Sequence, residues 1–251
     1  MGERLYLHRH SITHSLPAHV KIMTVLAFIS VSVSTPITRW PAFVAFFLLL
    51  VTTAVLSKIP LLLLFKRALI EIPFIFFAIL MPFFGTGEKF EIAGIELYRE
   101  GLLAGTSIVV KGTLGVLAAV ILSTTTTARE ILRGLERLKL PAVMVQIASF
   151  MLRYVNVISD EMERMKVARE SRGFVATGIK HWKVLATSAA ALFIRSYERG
   201  ERVHLAMLSR GFDGNLPSLD NNKATQSQWA TALSLPGLAL SLSLFFLVIG
   251  W

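Results

Sequence analysis

The sequence contains no cysteine and is poor in charged side chains. Without cysteine there is no disulfide framework, no thiolate metal site and no cysteine nucleophile, which excludes secreted disulfide scaffolds and cysteine-dependent enzymes. Charged residues make up 17% of the 251 residues, whereas soluble domains contain roughly 25%. Together with 54% apolar residues and a mean hydropathy of +0.61, this composition predicts an integral membrane protein.

Acidic residues are scarce: 16 Asp and Glu stand against 26 Lys and Arg, which gives a net charge of +10. A basic excess is typical of nucleic-acid-binding domains, of proteins on an anionic membrane face, and of the cytoplasmic loops of membrane proteins. The apolar content is too high for a soluble basic domain. We therefore interpret the excess as a positive-inside signal and expect the lipid bilayer, not nucleic acid, as a partner.

Five apolar stretches approach the roughly 20 residues that a helix needs to cross a bilayer. They are residues 20–35, 40–56, 59–84, 101–122 and 230–250. The start of the third is ambiguous because charged residues interrupt it, and Trp229 and Trp251 flank the last, as aromatic residues do at membrane interfaces. Basic residues collect before the first stretch and between the second and third, while the 85–100 connection holds four Glu. This distribution predicts a cytoplasmic N-terminus and an external 85–100 connection.

Residues 125–228 differ from the flanking membrane segments, residues 1–124 and 229–251, because charged residues return and no uninterrupted apolar run reaches spanning length. Thr127 and Glu130 form a capping-box pattern that predicts a helix start, and Pro141 predicts that this helix ends near residue 140. Two long helices are expected at 142–172 and 180–210, followed by a loop. The predicted fold class is an all-α integral membrane protein with about five transmembrane helices and long amphipathic cytoplasmic helices.

The two long predicted helices end on the same sequence word. Ala168-Arg-Glu-Ser171-Arg172-Gly173-Phe174 closes the first and Ala206-Met-Leu-Ser209-Arg210-Gly211-Phe212 closes the second, with five of seven positions identical. A left-handed glycine cap, with an apolar residue after it and a cation on the helix dipole, is sufficient to explain the word. In the functional alternative, each arginine projects from a rigid helix tip into an acidic groove of a partner, where a planar guanidinium binds two acceptors at once.

Helix geometry favours the functional alternative. Helices of about 30 residues are about 45 Å long, so an antiparallel or crossed pair joined by a short loop keeps its two C-terminal tips far apart. Two identical, well-separated tips on one cytoplasmic face indicate two similar partner subunits, such as an ATPase dimer.

The paired words resemble those of the transmembrane T component of energy-coupling factor (ECF) transporters, most closely the cobalt/nickel, CbiQ-like branch. The family hallmark is an Ala-Arg-Gly-type triplet that ends each of two cytoplasmic coupling helices, here Ser171-Arg172-Gly173 and Ser209-Arg210-Gly211. Other similar words are Leu138-Lys-Leu-Pro141, Arg153-Tyr154, Glu161 and Leu16-Pro-Ala-His-Val-Lys-Ile22, the last of which lacks the family's Asp.

The resemblance implies a non-catalytic subunit of an ATP-driven importer in the cell membrane, for cobalt or nickel ions and hence linked to cobalamin biosynthesis. The two triplets would dock into two ABC-type ATPases, supported by Ala168, Phe174, Ala206 and Phe212. The membrane helices would hold a substrate-binding S component and a small accessory membrane subunit. The alternatives are the T component of a vitamin transporter and an intramembrane enzyme.

The sequence agrees with a subunit that relies on its partners for ATP. No G-x-x-x-x-G-K-[ST] motif occurs, so we expect no cofactor on this chain. His8, His10 and His14 lie near the N-terminus without supporting carboxylates, and we expect no metal site there. An intramembrane enzyme needs ionisable residues within the spans, where only Glu71 and Lys111 qualify. A secondary transporter is disfavoured because the hydropathy shows no repeated halves.

The fourth predicted span combines small residues with one charge. Gly101, Gly105, Gly112 and Gly115 recur along one face, which indicates close backbone approach either within this chain or to the S component. Lys111 lies near mid-membrane, where a lone charge is costly, and Glu71 is its candidate partner if the third span begins near residue 59. In the alternative, Lys111 snorkels and Glu71 lies at the interface.

Overall fold

The computed structural model describes residues 6–7, 9, 11, 13–84, 89–92, 95–175, 178, 181–214 and 224–248. Across these residues the chain is almost wholly helical, which confirms the predicted all-α class. The elements are α1 (Ala18–Ser34), α2 (Trp40–Leu56), α3 (Leu61–Ala68), α4 (Ile72–Phe84), β1 (Lys89–Ile92), β2 (Ile95–Tyr98), α5 (Arg99–Thr125), α6 (Ala128–Arg137), α7 (Ala142–Glu170), α8 (Trp182–Leu208) and α9 (Gln226–Val248).

The apolar stretches predicted as spans are helices in the structure. Helices α1, α2, α5 and α9 begin and end within four residues of the predicted limits. The third stretch is broken by a 3-10 turn, Leu69–Glu71, between α3 and α4. Of the described helices, α5, α7 and α9 are long and apolar enough to cross a membrane, and α1 and α2 are apolar but shorter. Trp251, the second predicted aromatic anchor, lies outside the described residues.

A short antiparallel hairpin, β1–β2, lies in the connection that the sequence predicted only as a loop. Its register pairs Lys89 with Tyr98 and Ile92 with Ile95. The words Lys-Phe-Glu-Ile and Ile-Glu-Leu-Tyr alternate between charged or polar and apolar residues at the period of a strand. This is a small addition to a helical membrane protein.

The chain divides into two compact units, which we call the membrane unit (residues 2–138 and 222–251) and the two-helix unit (residues 139–221). Helix α6, which falls in the predicted middle segment 125–228, packs against α1 within the membrane unit. Its start is the predicted capping box: Thr127 Oγ1 accepts from the Glu130 N–H at 3.3 Å, and Glu130 Oε2 accepts from the Thr127 N–H at 2.8 Å.

The core of the membrane unit is aromatic and aliphatic. Phe28 of α1 and Phe46 of α2 are fully buried, with ring centroids 6.0 Å apart in an edge-to-face arrangement. Leu50 of α2 and Leu114 and Leu117 of α5 belong to the same cluster. In α4, by contrast, most large apolar side chains are exposed. Lipid tails are as apolar as these side chains, so exposure to lipid carries little free-energy cost.

Helices α4 and α5 pack at backbone contact. A Cβ added to Gly101 would lie 2.4 Å from the carbonyl oxygen of Met81, and one added to Gly105 would lie 2.5 Å from that of Ala78. These two glycines therefore face α4 of the same chain, so at Gly101 and Gly105 the small residues serve internal packing. Gly115, on the same helix, has no atom within 4 Å of an added Cβ.

In the two-helix unit, α7 and α8 run antiparallel side by side. Among the described residues, two side-chain hydrogen bonds join them: Arg169 Nη1 donates to Ser188 Oγ at 2.8 Å, and Arg195 Nη1 donates to Glu161 Oε1 at 2.7 Å. A third joins α7 to the segment after α8, where Gln146 Nε2 donates to the carbonyl oxygen of Gly214 at 2.7 Å. From Glu161 to Arg169 the residue numbers rise along α7, while the numbers of their partners fall from Arg195 to Ser188 along α8. This is the antiparallel arrangement that places the two helix tips at opposite ends of the pair.

Candidate partner-docking site

The C-terminal tip of α7 is a Schellman cap. The Gly173 N–H donates to the carbonyl of Glu170 at 2.9 Å, and the Phe174 N–H donates to the carbonyl of Arg169 at 3.0 Å. Gly173 has φ +75°, a left-handed conformation in which a Cβ is unfavourable. The predicted glycine cap is confirmed, and it holds Arg172 at the last position before the chain turns away.

The tip of α8 has the same geometry. The Gly211 N–H donates to the carbonyl of Leu208 at 3.0 Å, and the Phe212 N–H donates to that of Met207 at 3.1 Å. Gly211 has φ +81°. Two caps with the same hydrogen bonds present Arg172 and Arg210 in equivalent backbone settings, so the repeated sequence word is also a repeated structure.

The serines of both triplets close the last helical turn. Ser171 Oγ donates to the carbonyl of Ala168 at 3.1 Å, and Ser209 Oγ donates to that of Ala206 at 3.0 Å. Each hydroxyl proton is therefore used within its own helix. Each serine thus contributes one local bond at its helix tip.

The side chains of Arg172 and Arg210 are exposed. Among the described residues, neither guanidinium has a hydrogen-bond or ion-pair partner. Other arginines of the pair are engaged: Arg164 and Arg195 contact Glu161 at 2.9 and 2.7 Å. Within the described part of the two-helix unit, the donor groups of both tip arginines are thus not engaged.

The antiparallel arrangement sets the distance between the tips. Gly214, just beyond the α8 tip, contacts Gln146 near the start of α7. Arg172 lies 26 residues further along the chain than Gln146. At about 1.5 Å per residue, the two tips are separated by roughly 39 Å, which agrees with the separation expected from the sequence.

Glu161 ties α7 to α8 at the middle of the pair. It accepts from Arg164 one turn along α7 and from Arg195 of α8. The hydrogen bond from Arg164, followed by that from Arg195, holds the pKa of Glu161 below its usual range. Because its pKa is lowered, Glu161 is ionised at neutral pH. It joins the two helices in the charged second half of α7.

The predicted ion pair between Glu71 and Lys111 is wrong. Lys111 Nζ donates instead to the carbonyl oxygen of Val33, near the end of α1, at 2.7 Å. Glu71 is 3% exposed, and its Oε2 accepts from Thr113 Oγ1 at 2.9 Å, while Oε1 lies against Gly112 without a hydrogen-bond partner. Adjacent positions on a helix point about 100° apart. Glu71 therefore contacts the face of α5 that carries Gly112 and Thr113, and Lys111 points away from it.

We expect the double-mutant cycle of Glu71→Met and Lys111→Met to show a coupling free energy below about 0.5 kcal/mol, because residues without a shared contact act additively. The cycle of Glu71→Met and Thr113→Val should give about 1 kcal/mol, because it contains a hydrogen bond. Unfolding in mixed detergent micelles measures both cycles. A coupling free energy that is larger for the Lys111 cycle than for the Thr113 cycle would show that Glu71 and Lys111 do form an ion pair.

The histidines near the N-terminus have structural contacts where they are described. His14 Nδ1 lies 2.6 Å from Ser11 Oγ, and His14 Nε2 lies 3.1 Å from the carbonyl oxygen of Leu7. His8 and His10 lie outside the described residues. Within the part of the chain that the structure describes, no group of three His, Cys, Asp or Glu side chains is arranged to hold a metal ion.

Sequence reasoning missed one residue, Lys21. Its side chain is only 8% exposed, and its ammonium group contacts the C-terminus of α5. A lysine near a helix end is ordinarily solvated, so no local signal in the sequence indicates this burial.

Nearly the whole sequence is similar to known transport proteins. The family model described as CbiQ, cobalt transport protein, matches residues 9–219. The energy-coupling factor transporter transmembrane protein EcfT of Bacillus subtilis (strain 168) is 25% identical over 256 residues, covering 96% of each chain. The cobalt transport protein CbiQ of Rhodobacter capsulatus is 29% identical over 157 residues, covering 62% of each chain.

A third relative is an uncharacterized protein of Methanocaldococcus jannaschii. It is 36% identical over 140 residues, which cover 54% of this chain and 52% of the relative. The chain therefore spans about half the length of this relative, whereas it spans nearly all of the Bacillus protein.

Proposed function

We infer the function of this chain from its family: it belongs to the CbiQ cobalt transport proteins and is a T component of an energy-coupling factor transporter. It is a multi-pass protein of the cell membrane. From this premise we propose that it is the non-catalytic subunit that links ATP hydrolysis by two ABC-type ATPases to movement of a substrate-binding S component.

The twinned helix caps carry the proposal. Arg172 and Arg210 occupy equivalent backbone settings, are exposed, and have no partner among the described residues. A pair of related ATPases offers two equivalent grooves, and each guanidinium supplies a planar set of donors for acidic side chains there. ATP-driven closure of the ATPases would then shift the two tips relative to each other.

The partner helix supports a cytoplasmic position for the two-helix unit. Helix α7 meets the length and composition of a span, but α8 does not. The two helices contact each other along their length through Glu161, Arg169 and Arg195. Because charged side chains are costly in the hydrocarbon core, we propose that both helices lie on the cytoplasmic side, with the apolar half of α7 against the membrane interface.

Helix α7 also presents an apolar stripe that suits the S component. Its exposed members recur at steps of three and four residues and are Met144, Ile147, Met151, Val155, Ile158 and Met162. Methionine side chains adapt to partners that move against them. We propose that this stripe contacts the S component and relays the displacement of the tips to it.

The proposed substrate is a cobalt or nickel ion, which the description of the matching family supports. The alternative is a vitamin, because relatives that cover nearly the whole chain carry the general name EcfT. In both cases the substrate is bound by the S component, and the present chain acts on it through movement alone.

Co-expression tests the function. The chain, an ABC ATPase pair and an S component for cobalt or nickel are expressed together, purified through a tag on this chain, and reconstituted in liposomes. We expect a stable complex and ATP-dependent uptake of radiolabelled Co²⁺ or Ni²⁺. Uptake of a vitamin with a vitamin-type S component, and of neither ion, would favour the alternative. Failure to co-purify with any ABC ATPase would refute the coupling role.

A further inference from the structure

Three helix ends meet around one buried lysine in the membrane unit. Lys21 Nζ donates to the Thr125 carbonyl oxygen at 2.8 Å, to Thr126 Oγ1 at 3.3 Å and to the His14 carbonyl oxygen at 3.4 Å. An ammonium group has three donors and no acceptor. All three donors of Lys21 are therefore used, which accounts for its burial.

Two of the three acceptors lie at the end of α5, on Thr125 and on Thr126 directly after it. The last carbonyl groups of a helix have no partner within the helix and must be satisfied elsewhere when they are buried. The Thr125 carbonyl is satisfied by Lys21, and the Thr124 carbonyl accepts from the Leu7 N–H at 3.0 Å. A cation at this position also complements the helix dipole. The N-terminal segment thus closes the C-terminus of α5.

The same point fixes the start of α6. Thr126 is the residue before the Thr127 cap of α6, so Lys21 holds the junction between α5 and α6. Further along α6, a Cβ added to Gly134 would lie 2.9 Å from the His19 backbone nitrogen. Helix α6 therefore contacts α1 at two places, the Lys21 site at its start and Gly134 near its end.

Beyond α6 the chain enters the two-helix unit. The boundary between the two units falls between Leu138 and Lys139. Lys139 has φ +65°, a conformation that is unfavourable for a residue with a Cβ. Two residues later, Pro141 begins the approach to α7. A displacement that passes from α7 toward the N-terminus along the chain therefore reaches α6 before any other helix of the membrane unit.

We propose that Lys21 is the positioning residue of the joint that passes movement from α6 to α1 and α5. This inference rests on the proposed function, because it assumes that the two-helix unit is displaced by ATPases. Without the ammonium group, the α5–α6 junction loses its bonds at Thr125 and Thr126, the His14 carbonyl loses a third, and α6 turns relative to α1 without carrying the spans along. ATP hydrolysis then continues while transport stops.

The functional test uses the reconstituted complex with Lys21→Met, Lys21→Arg and, as a matched control on an exposed lysine, Lys66→Met. We expect Lys21→Met to assemble, to hydrolyse ATP within about twofold of wild type, and to import at least tenfold less Co²⁺ per ATP hydrolysed. Lys21→Arg should recover most of this ratio, and Lys66→Met should not change it. An unchanged ratio for Lys21→Met, or loss of assembly in Lys21→Met alone, would overturn the proposal.

A second measurement uses this chain alone. The sequence has no cysteine, so Leu26→Cys of α1 and Glu136→Cys of α6 can each be spin-labelled without other labelled sites. The distance between the two labels is then measured. We expect a narrow distance distribution for wild type and Lys21→Arg, and one at least twice as wide for Lys21→Met. Equal widths would refute the joint whether or not the ATPases bind, whereas loss of ATPase binding by the wild-type chain refutes only the coupling role.

Discussion

Changing Arg172 and Arg210 together to Ala is expected to abolish co-purification of this chain with its ABC ATPases and to stop ATP-dependent uptake. Alanine removes both guanidinium groups but leaves the two Schellman caps, whose bonds are made by the backbone. Each single change should weaken binding by roughly 30- to 1,000-fold, which corresponds to about 2–4 kcal/mol for truncating one partner of a buried charged contact. Pull-down and binding titration in detergent measure both effects.

The controls separate docking from general charge loss. Arg202→Ala removes an exposed arginine of α8 that lies 4.0 Å from Glu198, and it should change ATPase affinity by less than about twofold, because exposed ion pairs contribute little. Lysine at either tip keeps the charge without the planar donor set and should give intermediate affinity. Wild-type affinity in the double alanine variant would contradict the docking role.

Changing Gly105 to Ala is expected to destabilise the membrane unit by about 2–3 kcal/mol, within the range for overpacking. The new Cβ would lie 2.5 Å from the Ala78 carbonyl oxygen, and a backbone carbonyl inside a helix cannot rotate out of the way. Helices α4 and α5 must therefore separate. Thermal unfolding in detergent should show a midpoint lower by roughly 5–10 °C.

Gly115→Ala is the matched control for this prediction. It lies on the same helix, and its added Cβ would have no atom within 4 Å. Its stability should stay the same or rise slightly, because alanine favours a helix by up to about 1 kcal/mol over glycine. Equal destabilisation by the two substitutions would show that helix propensity or lipid contact, not the α4–α5 contact, controls the effect.

Sequence reasoning succeeded where the cause is local. The capping box of Thr127 and Glu130 and the glycine caps at Gly173 and Gly211 depend on residues within four positions of each other, and all three are present in the structure. Helix α2 occupies the predicted residues 40–56 because its apolar run ends abruptly at both sides. The short connection also predicted that α7 and α8 are antiparallel or crossed, and the structure shows the antiparallel pair.

It failed where two distant segments must be oriented relative to each other. Lys111 lies on α5 and Glu71 in the 3-10 turn before α4, and the sequence pattern does not specify which face of α5 meets that turn. The structure turns Gly112 and Thr113 toward Glu71 and Lys111 toward the end of α1. The sequence predicted a glycine face on α5, but it did not predict that α4 packs against this face.

The sequence by itself determined that this is a helical membrane protein, where most of its helices begin and end, and that two arginines stand at matching helix tips. These properties depend on composition and on residues close together in the chain. Only the tertiary structure decided that the glycines of α5 face α4, that Glu71 is buried apart from Lys111, and that Lys21 closes the end of α5. Each of these depends on which helix faces meet, and that is set by packing between segments up to about a hundred residues apart.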